Sequence, residues 1–410
     1  MSDADSLKVP FSRPSISKEE EDAVLAVLRS GWLTTGKYAL QFENNFSTYM
    51  NQDKKLKENR KNAGLDSRDV ISLAVNSNTS GMVLAMQACG VGPGTAVITT
   101  PYTFVSTAMS AVHLGADVFF ADIEKDSYSI DPEKIEEILK SEKGKMVRAI
   151  VPVHIAGNPC NMEKICALAK KYGVMVIEDA AHALPTKTDL GYAGTIGDAG
   201  VYSFYVTKTL TTAEGGMVCT RNPELAKKMT MMRMHGMDRT TWDRYTSPRA
   251  SWEYDIVAPG FKFNLPDILA ALGVEQLKKV DLFFAKRERI VEKYNEAFKG
   301  LDFIQLPPSE KGNCWHLYLL RIVPEKLNID RNEFAKLLQK EGIGISVHFI
   351  PMFYFTYWKN RYPDFTENNF PEAAYRYKTT ITIPLWPDMT EEMVQMVINA
   401  VKKIGTEHHA

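Results

Sequence analysis

The stretch SFYVTKTLTTAEGG, Ser203 to Gly216, holds a lysine, Lys208, in a polar turn between two runs of small and apolar residues, GDAGVYSF and GGMVCT. An amine at such a core boundary is partly desolvated and loses preference for its charged form. A neutral amine can attack a carbonyl and hold it as a Schiff base. Three further groups have types and positions suited to the same chemistry. VMVIED ends in Asp179, with His182 one helical step later in EDAAHA. A carboxylate at the end of a buried strand is costly without a cation or a donor. VISLAV ends in NSNTSG, where Thr79 and Ser80 open a helix whose free N–H groups and dipole favour an anion or phosphate. AVITT is followed by PYTF, whose Phe104 offers a flat wall for a ring. Taken singly, each part has a plainer reading: a loop lysine, a capping aspartate beside a core histidine, a Ser/Thr N-cap, a core phenylalanine.

The combination narrows the choice. Phosphate cradle (Thr79, Ser80), ring wall (Phe104), acid (Asp179) and amine (Lys208) occur in this order, each after a separate strand. These are the parts needed to hold pyridoxal 5'-phosphate. The acid would keep the pyridine nitrogen protonated, which makes the cofactor an electron sink. Two unit charges ~4 Å apart attract by about 4 kcal/mol at an effective dielectric of 20. That is about three pKa units, enough to keep the ring charged at neutral pH.

The elements that must position these residues follow a simple pattern. From Val70, short apolar runs (VISLAV, AVITT, DVFFAD, RAIVPVHI, VMVIED, VYSF, MVCT) are separated in several places by helical sequence, at 81–88, 105–114, 132–139 and 162–171. Apolar strands alternating with helices predict an α/β fold with a largely parallel sheet covered on both faces. Ligands then gather at the carboxyl ends of the strands. Before the sheet come a helix after Ser17, the turn GWLTTG, a helix over about 38–50, and a polar stretch 51–69 that reads as a solvated loop or helical extension. After it come a polar stretch, MDRTTWDRYTSPRASWEYD, and helical sequence from Pro266 to about Phe298 with a break near Val280. A smaller α+β unit follows, with candidate strands HLYLLRI, ISVHFI and ITIPL and helices over 331–341 and 390–404. The division predicted is 1–265 for a large cofactor-binding domain and 266–410 for a small domain with its linking helix.

With 45% hydrophobic residues, composition predicts an ordinary soluble globular protein. Among 410 residues, 49 basic and 50 acidic side chains give a formal charge of -1, so neither nucleic acid nor a membrane surface is an expected partner. The five cysteines form no CxxC pair and read as reduced thiols of a cytoplasmic protein, and no metal is called for. The first residues show no signal peptide, and no apolar run approaches the ~20 residues that span a bilayer.

At this level of detail the chain resembles the DegT group of nucleotide-sugar aminotransferases, which are fold-type-I pyridoxal-phosphate enzymes. The resemblance runs from FSRPSIS to the C-terminal helix. It is carried by GWLTTG, PYTFVSTAMSAVHLGADVFFADI, VHIAGNPCNM, EDAAHA, SFYVTKTLTTAEGG, RMHG, APGFKFNLPDILAALGVEQL, WHLYLLRI, EGIGISVHF and IPLWPDMT. It implies that Lys208 is the Schiff-base lysine and Asp179 the partner of the pyridine nitrogen. Thr79, the Ser80 backbone and Ser203 would bind the phosphate, and Phe104 and His182 would contact the ring. In GFKFN, Lys262 stands where the family often has an asparagine that reaches the phosphate of the neighbouring subunit, and Asn264 stands in the place of an arginine. Lys262 takes over that role as a point charge. Met352 replaces a histidine common in the family. The resemblance further implies a homodimer with shared active sites and an amino group moved from an amino acid, glutamate, to a keto nucleotide sugar. In appearance the chain is nearest to members acting on UDP-4-keto sugars of the 4-amino-4-deoxy-L-arabinose type, in lipopolysaccharide, polysaccharide or glycan biosynthesis. Alternatives are a sugar dehydratase, amination of a non-nucleotide ring, or a non-enzymatic cofactor-binding regulator. Dehydrating relatives carry histidine in place of the lysine, so Lys208 argues against the first.

Overall fold

The structure is a computed structural model that describes residues 8–238 and 253–410. Most of the polar stretch after RMHG, residues 239–252, and the start of the chain, 1–7, lie outside the described residues.

Seven strands form the central sheet: β1 (Ile71–Val75), β2 (Ala96–Thr99), β3 (Asp117–Phe120), β4 (Val147–Ile150), β5 (Met175–Asp179), β6 (Ala199–Ser203) and β7 (Gly216–Thr220). Their order is β1-β7-β6-β5-β4-β2-β3. The pairs from β6 to β3 are parallel, while β7 runs antiparallel to both of its neighbours. β2, β6 and β7 are buried almost throughout, as apolar runs without alternation require when both faces are covered.

Helices flank the sheet: α1 (Lys18–Ser30), α2 (Lys37–Asn51), α3 (Lys54–Asn62), α4 (Asn78–Ala88), α5 (Val105–His113), α6 (Pro132–Lys140), α7 (Met162–Tyr172) and α8 (Pro223–Met232). Their starts follow local chemistry. Asp131 caps α6 by accepting the Glu133 N–H at 2.8 Å, with Pro132 at the first helical position. α4 lies very close to the sheet. A Cβ on its Gly81 would stand 2.5 Å from Val201 Cγ1, and one on Gly216 would stand 2.8 Å from Asn78 N and from Tyr202 O. Only glycine at these two positions lets the helix start lie against β6 and β7.

The polar stretch 51–69 is more than a solvated loop. It contains α3, and Arg60 within it is buried. The Arg60 guanidinium donates to the carbonyls of Asp66 at 2.6 Å, Leu190 at 3.1 Å and Ile196 at 3.1 Å, which ties the excursion to the connection between β5 and β6. A charged residue surrounded by polar ones gives no sequence sign that it turns inward.

Beyond the sheet, α9 (Asp267–Leu277) and α10 (Val280–Phe298) are separated by the break expected near Val280. A second, antiparallel sheet has the order β8 (Ile304–Gln305), β9 (Tyr318–Ile322), β10 (Thr380–Ile383), with α11 (Arg331–Lys340), α12 (Thr356–Arg361), α13 (Pro371–Thr379) and α14 (Glu391–Glu407) around it. Its core is apolar and includes Phe298, Leu320, Phe334, Ile381 and Val397. ISVHFI is not a strand. Only Ser346 bridges Thr382, and the consecutive side chains of His348 and Phe349 both line one cavity. Strand geometry would send them to opposite faces.

Replacing Arg60 by methionine keeps the volume but leaves three carbonyls without their donor. The expected loss is about 3 kcal/mol of unfolding free energy, read by chemical denaturation. A change within about 0.5 kcal/mol, the level of an ordinary surface substitution, would show that the anchor is dispensable.

Candidate active site

The carboxyl ends of β1, β5 and β6 open into a cavity of ≈ 310 Å³. Thr79, Phe104, Asp179, His182, Ser203 and Lys208 all line it. Six residues drawn from four separate segments of the chain therefore meet in one place. Two of the residues singled out in the sequence do not line it. Ser80 is buried in the α4 cap, where its N–H donates to Ser77 Oγ at 3.1 Å and its hydroxyl bonds Asn76 and Ser77. Lys262 is exposed beyond the cavity, with its amine on Asn264 Oδ1 and 3.5 Å from Met234 Sδ.

The cradle is the first turn of α4. Ser77 is its N-cap, and the N–H groups of Asn78 and Thr79 have no partner among the described residues. Helix starts leave such donors free and carry positive potential. Ser203, at the end of β6, faces the same space.

The motif EDAAHA divides its two acids by strand alternation. Glu178 points away from the cavity, fully buried, and accepts the N–H groups of Gly194, Ile196 and Gly197 at 2.8, 2.7 and 2.8 Å. His154 Nε2 joins it at 2.9 Å. His154 Nδ1 accepts the Cys160 N–H at 3.1 Å, so the imidazole carries its proton on Nε2 and donates to Glu178. Glu178 is thus an anchor for the strand, and Asp179 is the acid that faces the site.

Burial pushes the Asp179 carboxyl above the usual carboxylate range, against the opposing pull of the Thr107 hydroxyl, the Ala181 N–H and the charge of Lys208. The Lys208 amine is lowered to about 8 by desolvation, partly offset by Asp179. Burial, reinforced by the positive charge of Lys208, also holds His182 well below its ordinary value and His348 at about 3. His182 Nδ1 accepts the Ala156 N–H at 3.2 Å, which agrees with a neutral ring. The His182 ring stacks on Phe349 with centroids 5.6 Å apart and an interplanar angle of 20°. Phe104 is 57% exposed, with its centroid 6.1 Å from Phe349, so its face stays free for another ring.

Sequence reasoning missed several lining residues: Ser77, Asn78, Thr103, Ser106, Glu214, Gly215, His348 and Phe349. Ser77 and Asn78 lie inside NSNTSG, and Glu214 and Gly215 lie in the EGG that closes the lysine segment. His348 and Phe349 come from the misread ISVHFI, so periodicity could not have placed them.

These groups fit pyridoxal 5'-phosphate. Unpartnered helix N–H groups and Ser203 suit its phosphate. A buried carboxyl whose ionised form lacks a full counter-ion suits its ring N–H. An amine of lowered proton affinity suits its aldehyde, and Phe104 suits its face.

Comparison with known proteins points the same way. The profile of the DegT/DnrJ/EryC1/StrS aminotransferase family matches residues 14–402. The chain is 40% identical to the spore coat polysaccharide biosynthesis protein SpsC of Bacillus subtilis over 399 residues, covering 97% of each. Its structure is similar to the putative sugar aminotransferase Spr1654 of Streptococcus pneumoniae in its PMP form. The TM-score is 0.85 at 28% identity, over 98% of this chain and 100% of that one. It is also similar to PseC of Helicobacter pylori, an aminotransferase involved in the biosynthesis of pseudoaminic acid. There the TM-score is 0.83 at 28% identity, over 97% and 99%.

The charge state of Lys208 can be read directly. In the cofactor-free protein, its modification by an amine reagent is expected to follow a titration with midpoint about 8, slow below it where the amine is protonated and fast above it. Asp179→Asn removes a charge that favours the protonated amine, so the midpoint should fall further. A midpoint at the ordinary lysine value of about 10.4 would contradict the desolvated placement.

Proposed function

The chain belongs to the DegT/DnrJ/EryC1/StrS aminotransferase family and is a pyridoxal-phosphate-dependent aminotransferase, and from that premise we propose that it moves the amino group of an amino acid, L-glutamate, to a keto nucleotide sugar of the UDP-4-keto class. The observation that carries the reading is the sharing of one cavity by a buried acid, Asp179, and an amine lowered to about 8, Lys208. The sugar side rests on the relatives' names, which speak of spore coat polysaccharide for SpsC and pseudoaminic acid for PseC.

In this reading the bound cofactor supplies an aldehyde that carries the amino group and a protonated ring that takes up the electron pair released at the donor's α-carbon. The chain's own residues do the rest. Asp179 holds the proton on the ring nitrogen. Thr79, with the free N–H groups of the α4 start, and Ser203 hold the phosphate. Ser80 serves that cradle through the cap it makes with Ser77. Phe104 and His182 bracket the ring, and the neutral His182 adds no competing charge. Lys208 Nζ would take the proton from the donor's α-carbon and deliver it to the cofactor's aldehyde carbon, and in the second half-reaction would carry a proton from that carbon to the sugar carbon that gains the amine. An amine with pKa near the working pH performs both transfers without a large penalty either way.

The working unit proposed is a homodimer of cytoplasmic protomers, each built of a large domain, 1–265, and a small one, 266–410. Lys262, exposed and outside its own cavity, then reaches the partner's phosphate. Sedimentation of a fully active monomer would contradict the shared site. The described residues contain no helix long and apolar enough to cross a membrane.

The experiment is an amination assay with glutamate and 4-keto sugars linked to UDP, GDP or dTDP, following 2-oxoglutarate. Parallel double-reciprocal lines, as two separate half-reactions require, and a preference for the UDP-linked sugar are expected. Glutamate turnover with none of the nucleotide sugars aminated would overturn the substrate assignment and favour a non-nucleotide ring.

A further inference from the structure

Asp179 is held from three directions. Its Oδ2 accepts the Thr107 hydroxyl at 2.7 Å, and its Oδ1 accepts the Ala181 N–H at 3.1 Å and the Asn78 Nδ2–H at 3.4 Å. The Asn78 amide makes its shorter bond elsewhere, to the Val201 carbonyl at 2.9 Å. The Thr107 bond is therefore the shortest of the three. Thr107 lies in the first turn of α5, is fully buried, and does not line the cavity.

A second hydroxyl stands behind it. Thr103 Oγ1 lies 3.0 Å from Thr107 Oγ1. A hydroxyl has one proton to give. A carboxylate can only accept, so Thr107 spends its proton on Asp179, and the bond between the threonines must run from the Thr103 O–H to Thr107 Oγ1. Two hydroxyls in series, both directed at the acid, polarise each other and strengthen the terminal bond. With Thr107 on one oxygen and the Ala181 N–H on the other, the plane of the carboxylate is also fixed.

We propose that Thr107, backed by Thr103, is a positioning residue that keeps Asp179 ionised and oriented toward the ring nitrogen of the cofactor. The inference rests on Asp179 as the partner of that nitrogen. The chemistry it demands is specific. Thr107 touches neither cofactor nor substrate, and it acts by favouring the charged form of an acid that burial disfavours.

The test uses the apoenzyme and its affinity for pyridoxal 5'-phosphate, titrated by absorbance at a series of pH values, together with the pH profile of kcat/KM. Thr107→Val, which keeps the shape and removes the hydroxyl, is expected to weaken cofactor binding about tenfold at neutral pH. The carboxyl becomes harder to ionise, so the acid limb of both profiles should move to higher pH by about one unit. KM for the amino donor should stay near the wild-type value. Thr107→Ser should restore both limbs, and Thr103→Val should shift them in the same direction by less. A role in packing alone would alter stability and leave the acid limb in place. Should the valine variant be insoluble, Thr107→Ala carries the same readout. A wild-type acid limb in the Thr107 variants, with Asp179→Asn losing the cofactor, overturns the proposal. If Asp179→Asn itself binds the cofactor as wild type does, the reading of Asp179 is what fails.

Discussion

An acid and an amine share one desolvated cavity, and each alters the charge of the other. Burial raises the proton affinity of Asp179 and lowers that of Lys208, while their mutual attraction works against both shifts. Neither effect needs an unusual residue. Both need water kept away from two strand ends at once. The rest of the fold can be read as the apparatus that meets this condition, because a carboxylate left in such a place without hydrogen bonds would protonate instead of serving as an anion.

The apparatus has three parts. The parallel strands bring Asp179 and Ser203 to one edge of the sheet. The glycines at 81 and 216 let the start of α4 lie against that edge, so that free N–H groups face the space beside the acid. Glu178, next in sequence to Asp179, and His154 fix the end of β5 through buried bonds outside the cavity. The acid pair of EDAAHA therefore has one member bonded inside the fold and one facing the cavity, separated only by the alternation of a strand.

Much of this was legible in the sequence. The apolar runs announced all seven strands of the main sheet, because strands buried on both faces cannot hide their composition. The residues at the ends of those runs include five that line the cavity, Thr79, Phe104, Asp179, His182 and Lys208, because ligands collect at carboxyl ends, and the family resemblance adds Ser203. What stayed hidden depended on tertiary contact. Arg60 looked like one charge among many, and only the positions of one nearby and two distant carbonyls explain why it turns inward. His348 and Phe349 sit in a run that imitates a strand, yet the second sheet bridges only Ser346 of that run, and His348 and Phe349 turn to the cavity. Ser80 was assigned to the phosphate by its place in NSNTSG, whereas its polar atoms are occupied in the cap. Thr107 gave no sign at all, since a threonine in a helix is ordinary until the acid beneath it is known.

The central claim is that one lysine carries the cofactor. Borohydride reduction of the holoenzyme, followed by peptide mass mapping, addresses it most directly. The account predicts a pyridoxyl group on Lys208, within the peptide that contains SFYVTKTLTTAEGG. An adduct on any other lysine, or none on a protein that still transfers amino groups, would contradict it.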